Sequence, residues 1–302
     1  MIFDGKTNLA VDCLGWVDHG SLWTYNIVDK KEQRVPIAGA SYAIVRKGEN
    51  GLFRVVQQEN AGATITIRHF QNPAAELARI RVESGVARFD GDDSLWGSVE
   101  NVAIVGVTNG QRLIWINASA RSVIDLDISW FNNDNYDVGY SGLIDCITLP
   151  GGTLVLVSAQ RSSRLSIVDL QQNKEVESLK LVDRNGNPQL AMLDADELLT
   201  SDYDTMCRVN LNQRRVVASA LLQQPVAGFM HEFIGDFDLH GNGTCAVARP
   251  FSEDVLLLNV KTLQVTKRVR VGGQPLRVSM VSDSDVITRD WKTGRLAIAT
   301  FN

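Results

Sequence analysis

Residues 233–271 read FIGDFDLHGNGTCAVARPFSEDVLLLNVKTLQVTKRVRV. Four short apolar or alternating runs, FIGDFDL, TCAVAR, DVLLLNV and VTKRVRV, are separated by small polar segments rich in Gly, Asn and Ser. Period-2 alternation bounded by such segments is the signature of β-strands joined by tight turns. Four of them in succession within some forty residues describe an antiparallel meander, and the question is whether the rest of the chain repeats it.

It does. Runs ending in Asn, Asp or another polar residue recur as LWTYN, TITIR, LIWIN, LSIVD, CRVN, VLLLN and LAIAT, closing at Asn26, Arg68, Asn117, Asp169, Asn210, Asn259 and Thr300. Their separations are 42, 49, 52, 41, 49 and 41 residues. Each is preceded by another strand-like run (LAVDCLGW, LFRVVQQ, VAIVGV, TLVLVSA, ELLTSD, TCAVAR and DVITRD). A second complete set of four lies in LIDCITL, TLVLVSA, RLSIVDL and EVESLKLV. Helical periodicity is confined to one short candidate, NPAAELARI at 72–80. Seven strand pairs at this period predict an all-β protein, a seven-bladed β-propeller of four-stranded antiparallel blades in one domain over residues 1–302. A double sandwich has no reason to repeat at this spacing. Six blades and a partial seventh is the alternative count.

The segment LLLNVKTLQVTKRVRVGGQP at 256–275 resembles the blade signature of YVTN-type propellers, in which a third strand, a fourth strand and a Gly-x-x-Pro corner follow one another. SIVDLQQNKEVESLKL at 166–181 is similar and lacks the corner. The resemblance, within the WD40-like propeller superfamily, is one of fold, and the Trp-Asp and Gly-His signatures of WD40 repeats are absent. It implies binding and scaffolding more than any one activity.

Ring closure is the remaining topological question. The first residues supply second, third and fourth strands (LAVDCLGW, SLWTYNIV, QRVPI), while the last supply first, second and third (LRVSMV, DVITRD, RLAIATF). Residues 1–7 are therefore expected to pair with the last blade, around Arg295–Phe301, and so join the two ends.

Composition narrows the function classes. The 302 residues are 44% hydrophobic and 22% charged, with a net charge of −5 and scattered Lys and Arg. No basic stripe exists to displace counterions, so no nucleic-acid partner is expected. No run approaches the ~20 apolar residues that span a bilayer, and no membrane role is expected. The opening MIFDGKTNLAVDC lacks a basic segment followed by an apolar one. The four cysteines, Cys13, Cys146, Cys207 and Cys245, form no C-x-x-C pair and are expected to be free thiols, three of them in apolar strands. A cytoplasmic location follows as the expectation, with the sequons at Asn117 and Asn242 fortuitous.

Lettering the strands of a blade A to D, propeller topology puts the B–C and D–A connections on one face and the A–B and C–D turns on the other. Three D–A connections are long: 83–99, 128–142 and 221–234. Long loops in an economical fold are usually functional. The second reads SWFNNDNYDVGYSG over 129–142 and offers Trp130, Phe131, Tyr136, Asp137 and Tyr140 as binding residues. The first offers Arg88, Asp90 and Trp96. The B–C ends add Arg161, Asp202, Arg249 and Arg289, with Asp204 and Asp290 beside them. Aromatic rings among glycines and polar residues suit recognition of a protein, peptide or small-molecule ligand. A propeller enzyme, a metal-assisted lyase or hydrolase, is the alternative, with His231, Glu232 and His19 as weak catalytic candidates and Asp90, Asp92 and Asp93 as weak metal ligands.

Familiar catalytic motifs are missing. His231-Glu232 is no zincin pair because residue 235 is glycine, and GYSG at 139–142 is no nucleophile elbow. Neither a Walker A sequence nor a dinucleotide fingerprint is present, and the acidic runs miss the Ca²⁺-loop pattern. The sequence names no cofactor.

Overall fold

A computed structural model describes residues 2–3, 7–11, 13–14, 21–36, 42–47, 52–59, 62–83, 94–95, 102–107, 112–117, 122–127, 143–150, 153–159, 163–169, 171–172, 174–182, 186, 188–222 and 232–302. All regular structure among them is β-strand. The first sheet orders Ile2–Phe3, Asn8–Val11, Ser21–Asn26 and Lys31–Pro36. The second has five strands, Cys13–Leu14, Tyr42–Lys47, Leu52–Glu59, Gly62–His69 and Asn72–Glu83. The third runs from Ser94–Leu95 through Val102–Val107 and Arg112–Asn117 to Ser122–Asp127. The fourth comprises Leu143–Thr148, Leu154–Ala159, Arg164–Asp169 and Lys174–Lys180. Leu190–Met192, Glu197–Asp202, Thr205–Asn210 and Arg215–Leu221 make the fifth. Asp236–His240, Thr244–Arg249, Asp254–Asn259 and Val265–Arg270 make the sixth. Pro275–Met280, Asp285–Asp290 and Leu296–Thr300 form the last, with three strands. Every pairing is antiparallel between sequence neighbours, except that Cys13–Leu14 leaves the first sheet to pair with Tyr42 and Ala43. Four strands per sheet is therefore the pattern at five of the seven sheets among the described residues.

Alternation along each strand decides the packing. Leu198 points toward the fourth sheet, into a cluster with Leu156 and Ile167, while its neighbour Leu199 faces the sixth sheet beside Cys245 and Val247. In the sixth sheet Cys245 and Val247 face back, and Ala246 and Ala248 face forward onto Val278 and Met280. Middle strands are consequently buried on both faces, as in TCAVAR and VLLLN, whereas the fourth strands KEVESLK and VTKRVR are largely exposed. Charge along those outer edges also discourages pairing with other chains.

First strands have an unpaired edge, and acidic side chains satisfy it. Asp145 accepts from Leu190 N at 2.9 Å, Asp236 from Val278 N at 3.1 Å, and Asp238 from Met280 N at 2.8 Å. Each carboxylate lies on one sheet and each amide on the first strand of the next. The aspartates of LIDCITL and DFDL thus link neighbouring sheets, because a buried N–H without a partner is costly.

The Asn or Asp that recurs at the end of most third strands has a local cause. Asn26 Oδ1 accepts from Val28 N and Asp29 N; Asp169 Oδ1 accepts from Gln171 N and Gln172 N. Asn210 Oδ1 accepts from Gln213 N, and Asn259 Oδ1 from Lys261 N and Thr262 N. These side chains organise the C–D turns, the role short amides and carboxylates play best. Four residues after Asn26, Asn210 and Asn259, Lys30, Arg214 and Leu263 carry φ values of 54°, 56° and 55°. The turn geometry is one device used repeatedly.

Two expectations are corrected. Residues 72–80 are not helical; they belong to the strand Asn72–Glu83. Pro73 is admissible because this is the outermost strand, where a missing N–H costs no ladder bond. The buried Arg68 reinforces it, donating to Pro73 O at 2.8 Å, Ala74 O at 3.2 Å and Glu76 Oε1 at 2.8 Å. Nor is the ladder between residues 1–7 and Arg295–Phe301 present among the described residues. Ile2 pairs with Ala10 and Phe3 with Leu9, completing the first sheet. A short hairpin closes at much lower chain-entropy cost than a ladder spanning the whole chain. The ends meet through side chains instead: Ile287, Leu296 and Val281 pack with Trp23, Tyr25 and Ile27.

Candidate functional site

Backbone hydrogen bonds sort the connections into two faces. On one face, C–D turns dock on A–B turns: Leu211 N donates to Asp196 O, Val260 N to Gly243 O, and Phe301 N to Ser284 O. On the other, B–C turns meet the connections between sheets. Ile234 N donates to Tyr203 O at 2.7 Å, Gly235 N to Ala248 O at 3.0 Å, and Trp291 N to Gln274 O at 2.8 Å. Glu232, Tyr203, Phe251 and Trp291 therefore share this second face.

Four aromatic rings gather there. Phe233 is central, its centroid 6.4 Å from Tyr203, 5.4 Å from Phe251 and 6.3 Å from Trp291. The contacts to Phe251 and Trp291 are edge-to-face, at interplanar angles of 74° and 90°. This geometry sets a ring's positive edge against its neighbour's negative face. Each of the fifth, sixth and last sheets contributes one ring from its B–C turn, and the connection 222–235 contributes Phe233. Tyr203 and Trp291 remain 37% and 38% exposed, unusual for such large rings already packed on another. Tyr203 also has φ = 58°, a left-handed conformation costing roughly 1 kcal/mol for a non-glycine residue. Strain of this kind concentrates at functional positions.

A buried charged layer supports the rings. Glu232 is 1% exposed; its Oε1 accepts from Phe233 N at 3.0 Å and Phe251 N at 3.1 Å. Its Oε2 is buried without a hydrogen-bond partner among the described residues. Arg249 is gripped on all sides: Nε and Nη2 reach Asp254 at 2.9 and 2.7 Å, and Nη1 reaches Leu222 O at 2.6 Å. Arg268 also pairs with Asp254. Asp202 Oδ1 accepts from Ser163 Oγ and from Gly186 N, both at 3.0 Å. Asp290 accepts from Gln274 N and Thr293 N, each at 2.6 Å. Burial would raise the Asp290 carboxyl, but these bonds outweigh it and hold the group below its usual range. The Tyr203 hydroxyl is pushed up by burial, then by the charges of Asp204 and Glu232.

The expected site residues are thus brought together in part. Glu232, Asp202, Asp204, Arg249, Arg289 and Asp290 lie on or beneath one face. Asp202, Arg249 and Arg289 are buried, and the first two are engaged in fixing the corners rather than presented to solvent. His19, Arg88, Asp90, Asp92, Asp93, Trp96, Trp130, Phe131, Tyr136, Asp137, Tyr140, Arg161 and His231 lie outside the described residues. Among the described residues no three His, Cys, Asp or Glu side chains converge to hold a metal ion. Sequence reasoning missed Tyr203, Phe233, Phe251 and Trp291. Their signal was available: SDYDT, RPFSED and RDWKTG each place one aromatic just after the second strand of successive repeats.

Cys207 and Cys245 are free and buried in the adjoining sheets. Burial, aided by Asp202, pushes the Cys207 thiol up to about 12, and burial raises Cys245 as well. Both thiols stay protonated at neutral pH and unreactive. A thiol reagent is expected to label them only after denaturation, as mass spectrometry of the tryptic peptides would show. Rapid native labelling of either would contradict the burial described. The side chains of Cys13 and Cys146 lie outside the described set.

The similarity to solved structures extends over almost the whole chain. The β-propeller domain of Cps50 (Swd1) from Myceliophteria thermophila matches with a TM-score of 0.72 at 10% identity, covering 98% of this chain and 94% of that one. A chain of the mitotic checkpoint complex matches at 0.69 and 11% identity, covering 99% and 85%. The WD40 β-propeller domain of Doa1 matches at 0.67 and 11% identity, covering 98% and 89%. No protein-family model and no curated protein sequence matches the chain. The chain therefore has a WD40-like β-propeller fold, and the likeness is one of fold.

Proposed function

We propose that this protein is a recognition module, a seven-bladed propeller over residues 1–302 that engages a protein partner through the face of its B–C and D–A connections. Blades of four strands are its basic unit, and the packing of the last sheet on the first closes the ring. The observation that carries the reading is the pair of exposed rings, Tyr203 and Trp291, held upright against Phe233 by three different sheets. Exposed, buttressed aromatic side chains give large contact area at little entropic cost, the composition of interface hot spots. The connections 83–99 and 128–142, with Tyr136 and Tyr140, belong to the same reading, as does a cytoplasmic setting. Support also comes from the similar propellers, one of which is part of a multi-protein assembly, the mitotic checkpoint complex. No helix among the described residues is long and apolar enough to cross a membrane.

The test uses the double variant Tyr203→Gly with Trp291→Ala. Glycine accepts the φ of 58° without strain, so the turn survives while the ring is lost. A partner captured from host lysate by the wild type is expected to bind the variant more weakly by ~2 kcal/mol or more. The melting temperature is expected to stay unchanged. A variant that folds and retains the partner at wild-type affinity would remove this face from the reading.

A further inference from the structure

We infer that the aromatic cluster receives an arginine side chain of the partner polypeptide, with Glu232 Oε2 as the acceptor of its N–H groups. The inference rests on the recognition reading above and adds the chemistry of what is recognised.

Three observations converge. The first is the orphaned oxygen. Glu232 is 1% exposed, and Oε1 is satisfied by two backbone amides, yet Oε2 is buried with no hydrogen-bond partner among the described residues. A buried carboxylate oxygen without a donor costs free energy comparable to a lost charge-assisted hydrogen bond. Native proteins retain such groups where something supplies the missing donor.

The second is the surroundings. Glu232 is bonded through its own Oε1 to the backbones of Phe233 and Phe251, the two rings that pack edge-to-face. Tyr203 and Trp291 complete the rim, both more than one-third exposed. Aromatic rings beside a carboxylate attract a cation twice over, through the ring quadrupoles and through the charge. A planar guanidinium stacks on such rings and is more weakly hydrated than an ammonium, so it loses less on entering a half-buried site.

The third is the fate of a neighbouring buried cation. Arg249 lies beneath the same corner, but its guanidinium is committed to Asp254 and the Leu222 carbonyl, and Arg268 also serves Asp254. That carboxylate is neutralised, while Glu232 keeps an oxygen with no donor. Gln274 Oε1 is a second buried acceptor without a partner among the described residues; Gln274 is joined to Trp291 through its backbone carbonyl. This face therefore holds two buried acceptor oxygens without a donor among the described residues, and a guanidinium carries five N–H groups to serve them.

The experiment incorporates 5-fluorotryptophan and follows the Trp291 signal by fluorine NMR, assigned by its loss in Trp291→Phe. The probe is acetyl-Gly-Arg-Gly-amide, with the citrulline peptide as its uncharged isostere. The Trp291 signal is expected to shift with the arginine peptide and not with the citrulline one. Glu232→Gln keeps an oxygen for the Phe233 and Phe251 amides and removes the charge. It is expected to weaken the arginine peptide by about tenfold or more, the scale of one hydrogen bond to a charged group. Equal response to both peptides, or equal affinity of wild type and Glu232→Gln, overturns the inference. If the Tyr203→Gly/Trp291→Ala variant still loses its lysate partner in that case, the recognition reading stands and only its chemistry is wrong. Should Glu232→Gln fail to fold, Tyr203→Gly alone must weaken the arginine peptide, and an unchanged affinity there also overturns the inference.

Discussion

Arg249→Met is expected to lower the unfolding free energy by roughly 3 kcal/mol, read from urea titration of the purified protein. The guanidinium and the Asp254 carboxylate are both fully buried and joined by two parallel hydrogen bonds of 2.9 and 2.7 Å. Removing one partner leaves Asp254 in an environment that hydrates charge poorly, and it also orphans the Leu222 carbonyl held by Nη1. Arg268 still reaches Asp254 from a partly exposed position, which keeps the expected loss at the lower end for a broken buried pair. The companion variant Arg249→Met/Asp254→Leu removes both charges and is expected to recover most of that loss. A single variant within about 0.5 kcal/mol of wild type, the scale of a surface pair, would show that the bridge does not hold this corner.

Gly186→Ala is expected to cost ~2 kcal/mol and to disturb the binding face at the same time. A Cβ there would fall well inside contact distance of the Tyr203 backbone nitrogen and crowd the Asp202 carbonyl carbon. The obstacle is backbone, which cannot swing aside as a side-chain tip would. Gly186 also donates its N–H to Asp202 Oδ1, so the two segments are drawn together where the Cβ would part them. Relief must come from moving the Tyr203 turn, whose φ of 58° already leaves little room. The variant should therefore show both a lower melting temperature and a changed environment for Tyr203. An unchanged melting temperature would mean the approach of these segments is looser than described.

The same residues show how far the sequence could be read. The repeat was legible because third strands end in Asn or Asp, and the structure supplies the cause: those side chains capture the turn amides at Asn26, Asp169, Asn210 and Asn259. Local hydrogen bonding of this kind depends on a few consecutive residues, so it leaves a periodic trace. Strand character was legible from alternation for the same reason, with Leu198 and Leu199 facing opposite neighbours. The segment 72–80 misled because Ala, Glu and Leu favour a helix in isolation, while the hairpin pairing with Gly62–His69 that overrides them acts across strands, where helix propensity carries no information.

What the sequence determined by itself is the unit: a meander of short strands, its turns and its repetition, all set by interactions within a few tens of residues. What only the tertiary structure decided is the assembly of those units and the site they make. Tyr203, Phe233, Phe251 and Trp291 are spread over three successive sheets and the connection between two of them, and no local rule links them. They meet because successive sheets turn the same corner toward one face. Glu232 was legible as an acid in a loop, but its buried, half-satisfied carboxylate is not, because burial and the missing donor are properties of neighbours far away in the chain. The contact between the last sheet and the first likewise comes from side-chain packing between Ile287 and the Trp23–Tyr25 strand. Hydrophobic burial is non-directional, so nothing in either segment alone announces its partner.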